Sequence, residues 1–146
     1  MNVDITQLNM RDLTLCWNSI IERVAKQDIL MEHFIHKDST TWSQTQKSQY
    51  IESIMIRAPL NPIVLHGNTF NHTIIDGLNR ISAVIEFVND NFELCDLRLM
   101  HDLEGKKFSD FIRGYQRRLE EMRITIYIIE SPGKPELSEI VALNYL

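Results

Sequence analysis

The sequence predicts a single α+β domain with a small mixed sheet flanked by helices. The chain has 146 residues, of which 44% are hydrophobic and 24% are charged. That is enough for one hydrophobic core and too little for two. Segments with helical spacing alternate irregularly with short apolar segments, and hairpin-type turns separate some of the latter. This order favours a mixed α+β domain over a doubly wound parallel sheet.

Charge and composition exclude several classes of protein. The net charge of -5 argues against a protein that coats nucleic acid through bulk charge, although a local basic patch remains open. Cys16 and Cys95 belong to no CxxC motif, which predicts reduced thiols and a cytoplasmic location. No apolar stretch is long enough to span a bilayer, so we expect no membrane partner.

The first helices and strands follow from hydrophobic spacing. Residues 13–27 have apolar groups at helical intervals, which predicts a helix within an N-terminal helical extension over residues 1–28. Residues 29–35 alternate and predict a strand. Ser43 is the expected N-cap of a helix that runs to about residue 57. The buried stripe of this helix is predicted to be Tyr50, Ile51, Ile54 and Met55.

Proline and turn residues divide the middle of the chain. Pro59 and Pro62 end the preceding helix. Residues 63–65 and 69–75 then predict two strands joined by a tight turn. The apolar spacing of residues 79–88 predicts the next helix.

The second half predicts a short strand at residues 92–94, a turn at Gly105 and one or two helices within residues 109–122. The clearest strand of the chain is residues 123–130. Residues 135–146 predict a helix in which the chain ends, and we therefore expect a longer natural protein or a helix that packs on a partner. The main domain is accordingly assigned to residues 29–146, with a truncated C-terminus.

Residues 76–80, Asp-Gly-Leu-Asn-Arg, combine features that suit a phosphate group. Gly77 permits a sharp turn, and the helix after it offers free backbone N–H groups at its positive end. Arg80 adds a guanidinium and Ser82 a hydroxyl, while Asp76 could bind a ribose or a metal, orient Arg80 or act as a base. The alternative, more common for a short glycine turn before a helix, is an Asp76 N-cap and a surface arginine.

Other polar and aromatic residues admit two interpretations. Trp42 could stack on a base or, more in keeping with large aromatic residues, anchor its loop to the core. His66 and His72 flank the predicted hairpin and could touch a ligand, although loop histidines are usually solvated. The same applies to two histidines and four arginines, for which a solvated surface is favoured. They are His33, His36, Arg113, Arg117, Arg118 and Arg123.

Four further motifs occur in a fixed order around this turn. They are Trp-Ser at residues 42–43, Tyr-Ile-Glu-Ser-Ile at 50–54, a proline-rich strand start at 59–63 and Leu-x-Gly-x-x-Phe at 103–108. With the turn at 76–80, this set resembles the ParB/sulfiredoxin-like superfamily. Within that superfamily it is most similar to the restriction-associated branch typified by the N-terminal domain of GmrSD-type enzymes, whose turn reads Asp-Gly-Gln-Gln-Arg.

The resemblance covers roughly residues 29–146 and implies a ParB/sulfiredoxin-like fold that handles nucleotides. Members of the branch bind or hydrolyse nucleoside triphosphates, often as the sensing half of a restriction or phage-defence system. The resemblance therefore implies ATP or GTP as ligand, with Mg²⁺ as a companion ion and DNA, a nuclease subunit or a second copy as candidate partners. It implies catalytic roles for Asp76 and Arg80 and nucleotide-binding roles for Trp42, Gly77, Asn79, Arg80 and Ser82.

The chain departs from the family pattern at three positions. Leu78 and Asn79 replace the two glutamines of the turn, and Asp38 stands where an arginine usually precedes the Trp-Ser pair. A second hypothesis is therefore a module of the same fold that lost the chemistry and binds DNA or a protein. The chain has no His-Asn-His nuclease motif, and a sulfiredoxin reaction is excluded because the turn has no cysteine.

Overall fold

A five-stranded mixed sheet forms the centre of the molecule. The computed structural model describes residues 8–33, 41–67 and 71–130. The strands are β1 (Asn9–Cys16), β2 (Ile29–His33), β3 (Ile63–Gly67), β4 (His72–Asp76) and β5 (Arg123–Glu130). Their order in the sheet is β1-β5-β3-β4-β2. The β1–β5 and β3–β4 pairs are antiparallel, and the β3–β5 and β2–β4 pairs are parallel.

Four α-helices accompany the sheet in the described residues. They are α1 (Trp17–Ala25), α2 (Gln44–Met55), α3 (Leu78–Val88) and α4 (Arg113–Glu121). Two short 3-10 helices, His101–Leu103 and Phe108–Asp110, lie in the connection between α3 and α4. The combination of a mixed sheet and these helices confirms the predicted α+β class.

The main hydrophobic core lies between the helices and one face of the sheet. Because successive strand residues point to opposite faces, Ile126 and Ile128 of β5 join this core, whereas Ile129 faces the other way. Ile129 belongs to a smaller cluster on that second face with Val64 and Ile75. The largest fully buried side chains of the main core include Trp17, Phe87, Ile51, Ile54, Ile74 and Ile81.

The N-terminal segment differs from its prediction. Residues 13–16, expected to begin a helix, belong to β1, and the helix starts only at Trp17. Leu13 and Leu15 alternate along the strand and pack against the core, opposite Ile126 and Ile124 of β5. Pairing with β5 therefore overrides the helical spacing, and residues 9–25 supply a strand and a helix to the same sheet and core.

The predicted N-cap of α2 and its predicted buried face are both confirmed. Ser43 Oγ accepts a hydrogen bond from the Gln46 backbone N–H at 3.2 Å, while Gln46 Oε1 accepts one from the Ser43 N–H at 2.8 Å. This reciprocal capping box fixes the first turn. All four residues of the predicted stripe are buried, namely Tyr50, Ile51, Ile54 and Met55.

The elements around the central turn also confirm their predictions. Strands β3 and β4 form an antiparallel pair, and α3 begins within one residue of its predicted start. The clearest predicted strand is β5. The predicted helix at residues 135–146, residues 34–35 of the second predicted strand and the beginning of the strand predicted at residues 69–75 lie outside the described residues.

One predicted strand in the second half is wrong. Residues 92–94 form no strand, because Leu94 bonds to the turn at Gly105 instead of to a strand of the sheet: its N–H donates to Lys106 O at 2.9 Å and its carbonyl accepts from Gly105 N–H at 2.7 Å. The predicted turn at Gly105 is confirmed by its φ of 80°. The helical region predicted for residues 109–122 resolves into the end of a 3-10 helix followed by α4.

Candidate functional site

The candidate site begins where β4 passes into α3. Asp76 is the last residue of β4, Gly77 is the N-cap of α3, and Leu78 is its first helical residue. Gly77 has a φ of 124°, which side-chain-bearing residues rarely adopt, and a Cβ there would lie 3.0 Å from Cγ1 of Ile63 on β3. The glycine is therefore required both by the path of the chain and by close packing of the turn on β3.

This turn lines a small open pocket of about 220 Å³. Its walls are formed by Trp42, Ile75, Asp76, Gly77, Leu78, Asn79 and Arg80. The structure thus brings together five of the six site residues expected from the sequence. The exception is Ser82, which lies one turn into α3 and does not line the pocket.

The N-terminus of α3 faces this turn without a side-chain cap. The first intrahelical hydrogen bond runs from the Ile81 N–H to the Gly77 carbonyl at 2.9 Å. The N-cap residue, Gly77, has no side chain and so provides no side-chain cap. The backbone N–H groups of the first helical turn have no acceptor within the helix, and they form its partially positive end. An anion in the pocket would meet this end of the helix.

Arg80 is largely occupied by contacts within the protein. Its Nη1 donates to the carbonyl oxygens of Asn61 at 2.6 Å and Pro62 at 3.0 Å. Its Nη2 lies 3.1 Å from Oδ2 of Asp76, and the Arg80 side chain is only 11% exposed. The guanidinium therefore fastens the start of β3 to the start of α3, and it leaves only part of its surface to a ligand.

Among the residues that the structure describes, Asp76 and Arg80 are the only charged side chains in the pocket wall, and their charges are opposite. The Asp76 side chain is 66% exposed, so its carboxylate remains accessible to solvent. Because these two charges cancel, the described part of the wall attracts an anion mainly through the backbone N–H groups of α3.

Trp42 connects the pocket to α2. Its backbone N–H donates to Oδ1 of Asn79 at 3.4 Å, a long hydrogen bond between the two sides of the pocket. Its ring packs against Tyr50 with 5.6 Å between the ring centroids. Trp42 is half-buried, so it both anchors its segment to the core and presents a face to the pocket.

The histidines of the hairpin lie away from this pocket. His72 begins β4 and Asp76 ends it, a separation of about 13 Å at the usual rise of a strand. Burial lowers the pKa of both His66 and His72, so both are mainly neutral at pH 7. His33 ends β2, and His36 lies outside the described residues.

The four arginines of the second half do not line the pocket either. Arg118 Nε donates to the carbonyl of Met55 at 2.5 Å and so caps the C-terminus of α2. Arg113 pairs with Glu120 at 2.6 Å. Arg117 and Arg123 are exposed. Three of these arginines therefore lie on the solvated surface, as favoured from the sequence, whereas Arg118 has a structural role.

Glu52 is a buried carboxylate that organises a loop, and it was not predicted from the sequence. Its oxygens accept hydrogen bonds from the backbone N–H groups of Arg98 at 3.1 Å, Leu99 at 2.9 Å and Met100 at 2.8 Å. Burial by itself raises the pKa of the Glu52 carboxyl, but the three N–H donors outweigh burial and hold that pKa below its ordinary value. A glutamate within the apolar stripe of α2 is the sequence feature that could have indicated a buried carboxylate.

Two kinds of functional feature are absent from the part of the chain that the structure describes. No group of three histidine, cysteine or acidic side chains there could hold a metal ion. None of the helices in those residues is long and apolar enough to cross a bilayer. No family model, curated protein or solved structure matches this chain.

Proposed function

We propose that this chain is a nucleotide-binding domain of the ParB/sulfiredoxin-like kind, with its site at the start of α3. The observation that carries the proposal is a single pocket lined by Trp42 together with residues 76–80. These residues come from two separate segments of the chain and combine an aromatic face, an uncapped helix N-terminus and an exposed carboxylate.

The size of the pocket determines how a nucleotide would lie in it. A volume of about 220 Å³ is below the range of about 300–1,000 Å³ typical of pockets that enclose a whole ligand. The pocket therefore receives the phosphate end, held by the N–H groups of α3, while the sugar and base lie towards Trp42 and solvent. An aromatic face beside a phosphate site suits a nucleotide better than inorganic phosphate alone.

Asp76 is the candidate catalytic residue if the bound nucleotide is hydrolysed. Its exposed carboxylate can orient water or a ribose hydroxyl, or contribute one ligand to a Mg²⁺ ion that accompanies ATP or GTP. Arg80 would hold Asp76 in position and would partly neutralise the negative charge of the phosphate group that is transferred. Such a domain would act in the cytoplasm as the sensing part of a restriction or phage-defence system, with a nuclease as a separate partner.

Calorimetric titration of ATP and GTP, with and without Mg²⁺, tests this proposal. We expect binding by the parent chain. Asp76→Asn should bind the free triphosphate at least as tightly, because it removes a negative charge from the pocket, while any hydrolysis is lost. Asp12→Asn, a substitution at an exposed position of β1, is the matched control and should leave both the affinity for the triphosphate and any hydrolysis unchanged. No heat of binding for either nucleotide would contradict the proposal.

The second candidate is a non-catalytic module of the same fold that binds DNA or a protein. The observation that favours it is that Arg80 is already bound to two carbonyls and to Asp76, which leaves the described wall of the pocket without a net positive charge. Gel-shift titration over a series of salt concentrations tests the DNA form, because phosphate contacts require affinity to fall steeply with salt. Nucleotide binding without hydrolysis, together with such a salt dependence, would favour this candidate.

A further inference from the structure

Leu99 is an exposed apolar side chain on a loop that is held firmly from within. The side chain is 68% exposed, the largest value for a large hydrophobic residue in the part of the chain that the structure describes. The three consecutive backbone N–H groups of residues 98–100 all donate to the buried carboxylate of Glu52. Because the backbone on both sides of Leu99 is bonded in this way, its exposure is a fixed feature of the fold.

The end of α2 lies beside this loop. Ile56 follows Glu52 by four residues, so the two side chains leave the same side of the helix. The Ile56 side chain is 41% exposed. Arg98 donates from Nη2 to Oε1 of Gln49, one turn before Glu52, and this bond holds the loop to the same side of α2. Two exposed aliphatic side chains therefore lie on neighbouring segments.

Arginines accompany these aliphatic side chains on all three segments that meet here. The loop has Arg98 and the end of α2 has Arg57, and both are exposed. The third segment is α4, because Arg118 binds the carbonyl of Met55, and its neighbour Arg117 is exposed. We call the exposed residues of the three segments the arginine–leucine surface, namely Ile56, Arg57, Arg98, Leu99 and Arg117.

The arginine–leucine surface is basic in a chain whose net charge is -5. It has three exposed arginines and no acidic residue, and Asp96, Asp102 and Glu121 are exposed acidic residues outside its segments. The carboxylate of Glu52 is buried and bonded to three N–H groups, so it does not face a partner. A partner that covers these arginines must therefore supply negative charge.

We infer that the arginine–leucine surface binds an acidic segment of a partner protein, whose apolar side chain packs on Leu99 and Ile56 while its carboxylates pair with the arginines. Arginine is enriched in protein interfaces, and exposed apolar side chains that cluster mark such contacts, whereas a nucleic-acid interface consists mainly of phosphate contacts. The aliphatic side chains thus favour a protein over DNA. The fixed loop also reduces the entropy lost on binding. This inference goes beyond the proposed function, because no residue of the surface lines the pocket at α3.

Titration of the ¹⁵N-labelled chain with two designed peptides tests this inference. One is an amphipathic peptide of leucine and glutamate, and in the other lysine replaces every glutamate. We expect the acidic peptide to shift the amide signals of residues 56–57, 98–100 and 117–118 saturably, with an affinity that falls as salt is added. The lysine peptide should leave these signals in place at the same concentrations.

Variants of the surface separate its apolar and charged parts. Leu99→Ser should bind the acidic peptide about tenfold more weakly, the loss of one anchor, without a lower melting temperature, because the side chain is already in solvent. Arg98→Gln combined with Arg117→Gln should weaken binding similarly and flatten the salt dependence. Met10→Ser on β1 and Lys26→Gln at the C-cap of α1, both at exposed positions, are the matched controls and should bind as the parent does.

Four results would overturn the inference. They are no binding of the acidic peptide, and equal affinities of the parent and Leu99→Ser. Shifts of the same amides by a short DNA duplex, without binding of the acidic peptide, would identify a nucleic-acid surface instead. Sedimentation that shows self-association of the parent, lost in Leu99→Ser, would assign the surface to a second copy of the chain. The titration with ATP and GTP involves none of these residues, so the inference and the proposed function can fail independently.

Discussion

Gly77 is the residue on which the geometry of the site depends. Its positive φ directs the chain from β4 into α3, and its missing side chain lets the turn lie against Ile63 of β3. Both demands exist in the protein without a ligand. The glycine of the motif therefore has a structural reason, and the case for a ligand site has to come from the pocket that the turn lines.

Gly77→Ala should destabilise the fold by about 1–3 kcal/mol, because alanine is strained at a positive φ and its Cβ crowds Ile63. The measurement is the urea midpoint of unfolding. Gly114→Ala on α4 is the matched control: a Cβ there meets nothing within 4 Å, so it should stabilise by about 0.5–1 kcal/mol. Equal effects of the two substitutions would contradict the assigned role of Gly77.

Glu52 gives a second prediction at the scale of the residue. Its carboxylate satisfies the N–H groups of residues 98–100, and Glu52→Gln, which loses the charge and one acceptor oxygen, should cost about 1–3 kcal/mol at pH 7. Because the folded pKa lies below the ordinary 4.5, this contribution is complete above pH 4.5 and is lost as the pH falls through the folded value.

Urea unfolding of parent and Glu52→Gln at pH 7 and at several values below 4.5 measures this pH dependence. The difference in the free energy of unfolding should be largest at pH 7 and should shrink as the solution is acidified. Glu121→Gln, an exposed change on α4, serves as the control and should have no such profile. A constant difference at every pH would show that the charge of Glu52 is not what holds the loop.

At the scale of the element, α2 is the helix that organises the site. Its N-terminus is closed by the capping box of Ser43 and Gln46, and its C-terminal carbonyl at Met55 receives the guanidinium of Arg118. Between these ends it supplies Tyr50, which packs against Trp42 of the pocket wall, and Glu52, which binds the loop at 98–100. Contacts of this kind fix the position of α2 against α4.

Arg118→Met tests the link between α2 and α4. It should lower the free energy of unfolding by about 1.5–3 kcal/mol, the range for a hydrogen bond to a charged group, because Met55 loses its donor. Arg117→Met on the same helix is exposed and should change stability by less than about 0.5 kcal/mol. Thermal unfolding of both variants measures this difference. Similar losses of stability in the two variants would show that the arginines act only through net charge.

Local signals predicted some elements well and others poorly. Ser43 with Gln46 three residues later is a local capping signal, and the run of β-branched residues in β5 is a local strand signal, so both elements could be predicted. Residues 13–16 could not, because Leu13 and Leu15 fit either period until β5 pairs with them. Residues 92–94 were mistaken for a strand because the bonds of Leu94 to residues 105 and 106 are set by a distant turn.

At the scale of the whole molecule, the order of the strands depends on contacts far apart in the sequence. β5 lies between β1 and β3, so the last described strand joins the first to the middle of the chain. The predicted residues of the site came together because most are consecutive and Trp42 packs on Tyr50 of a neighbouring helix. The contacts of Arg80 with Asn61 and Pro62 could not be predicted, since they arise from the β3–β4 pairing.

The position of β1 predicts that residues 29–146 alone do not fold. Removing the first 28 residues would strip β5 of its antiparallel neighbour along the strand and would delete Trp17 and Ile20, which are both fully buried. Circular dichroism and urea titration of the shortened chain should show no cooperative unfolding. A cooperative transition with an ordered far-ultraviolet spectrum would instead identify residues 1–28 as a separable extension.

We propose that the start of α3 binds the phosphate end of a nucleotide. Titration of the ¹⁵N-labelled chain with ATP, followed by amide chemical shifts, tests it most directly, because each N–H of residues 77–80 reports on its own surroundings. We expect the signals of these amides and of the Trp42 indole to shift together and saturably, while those of the amides of β1 and of the C-terminal end of α4 do not move. Saturable shifts confined to other regions, or no shifts at all, would contradict it.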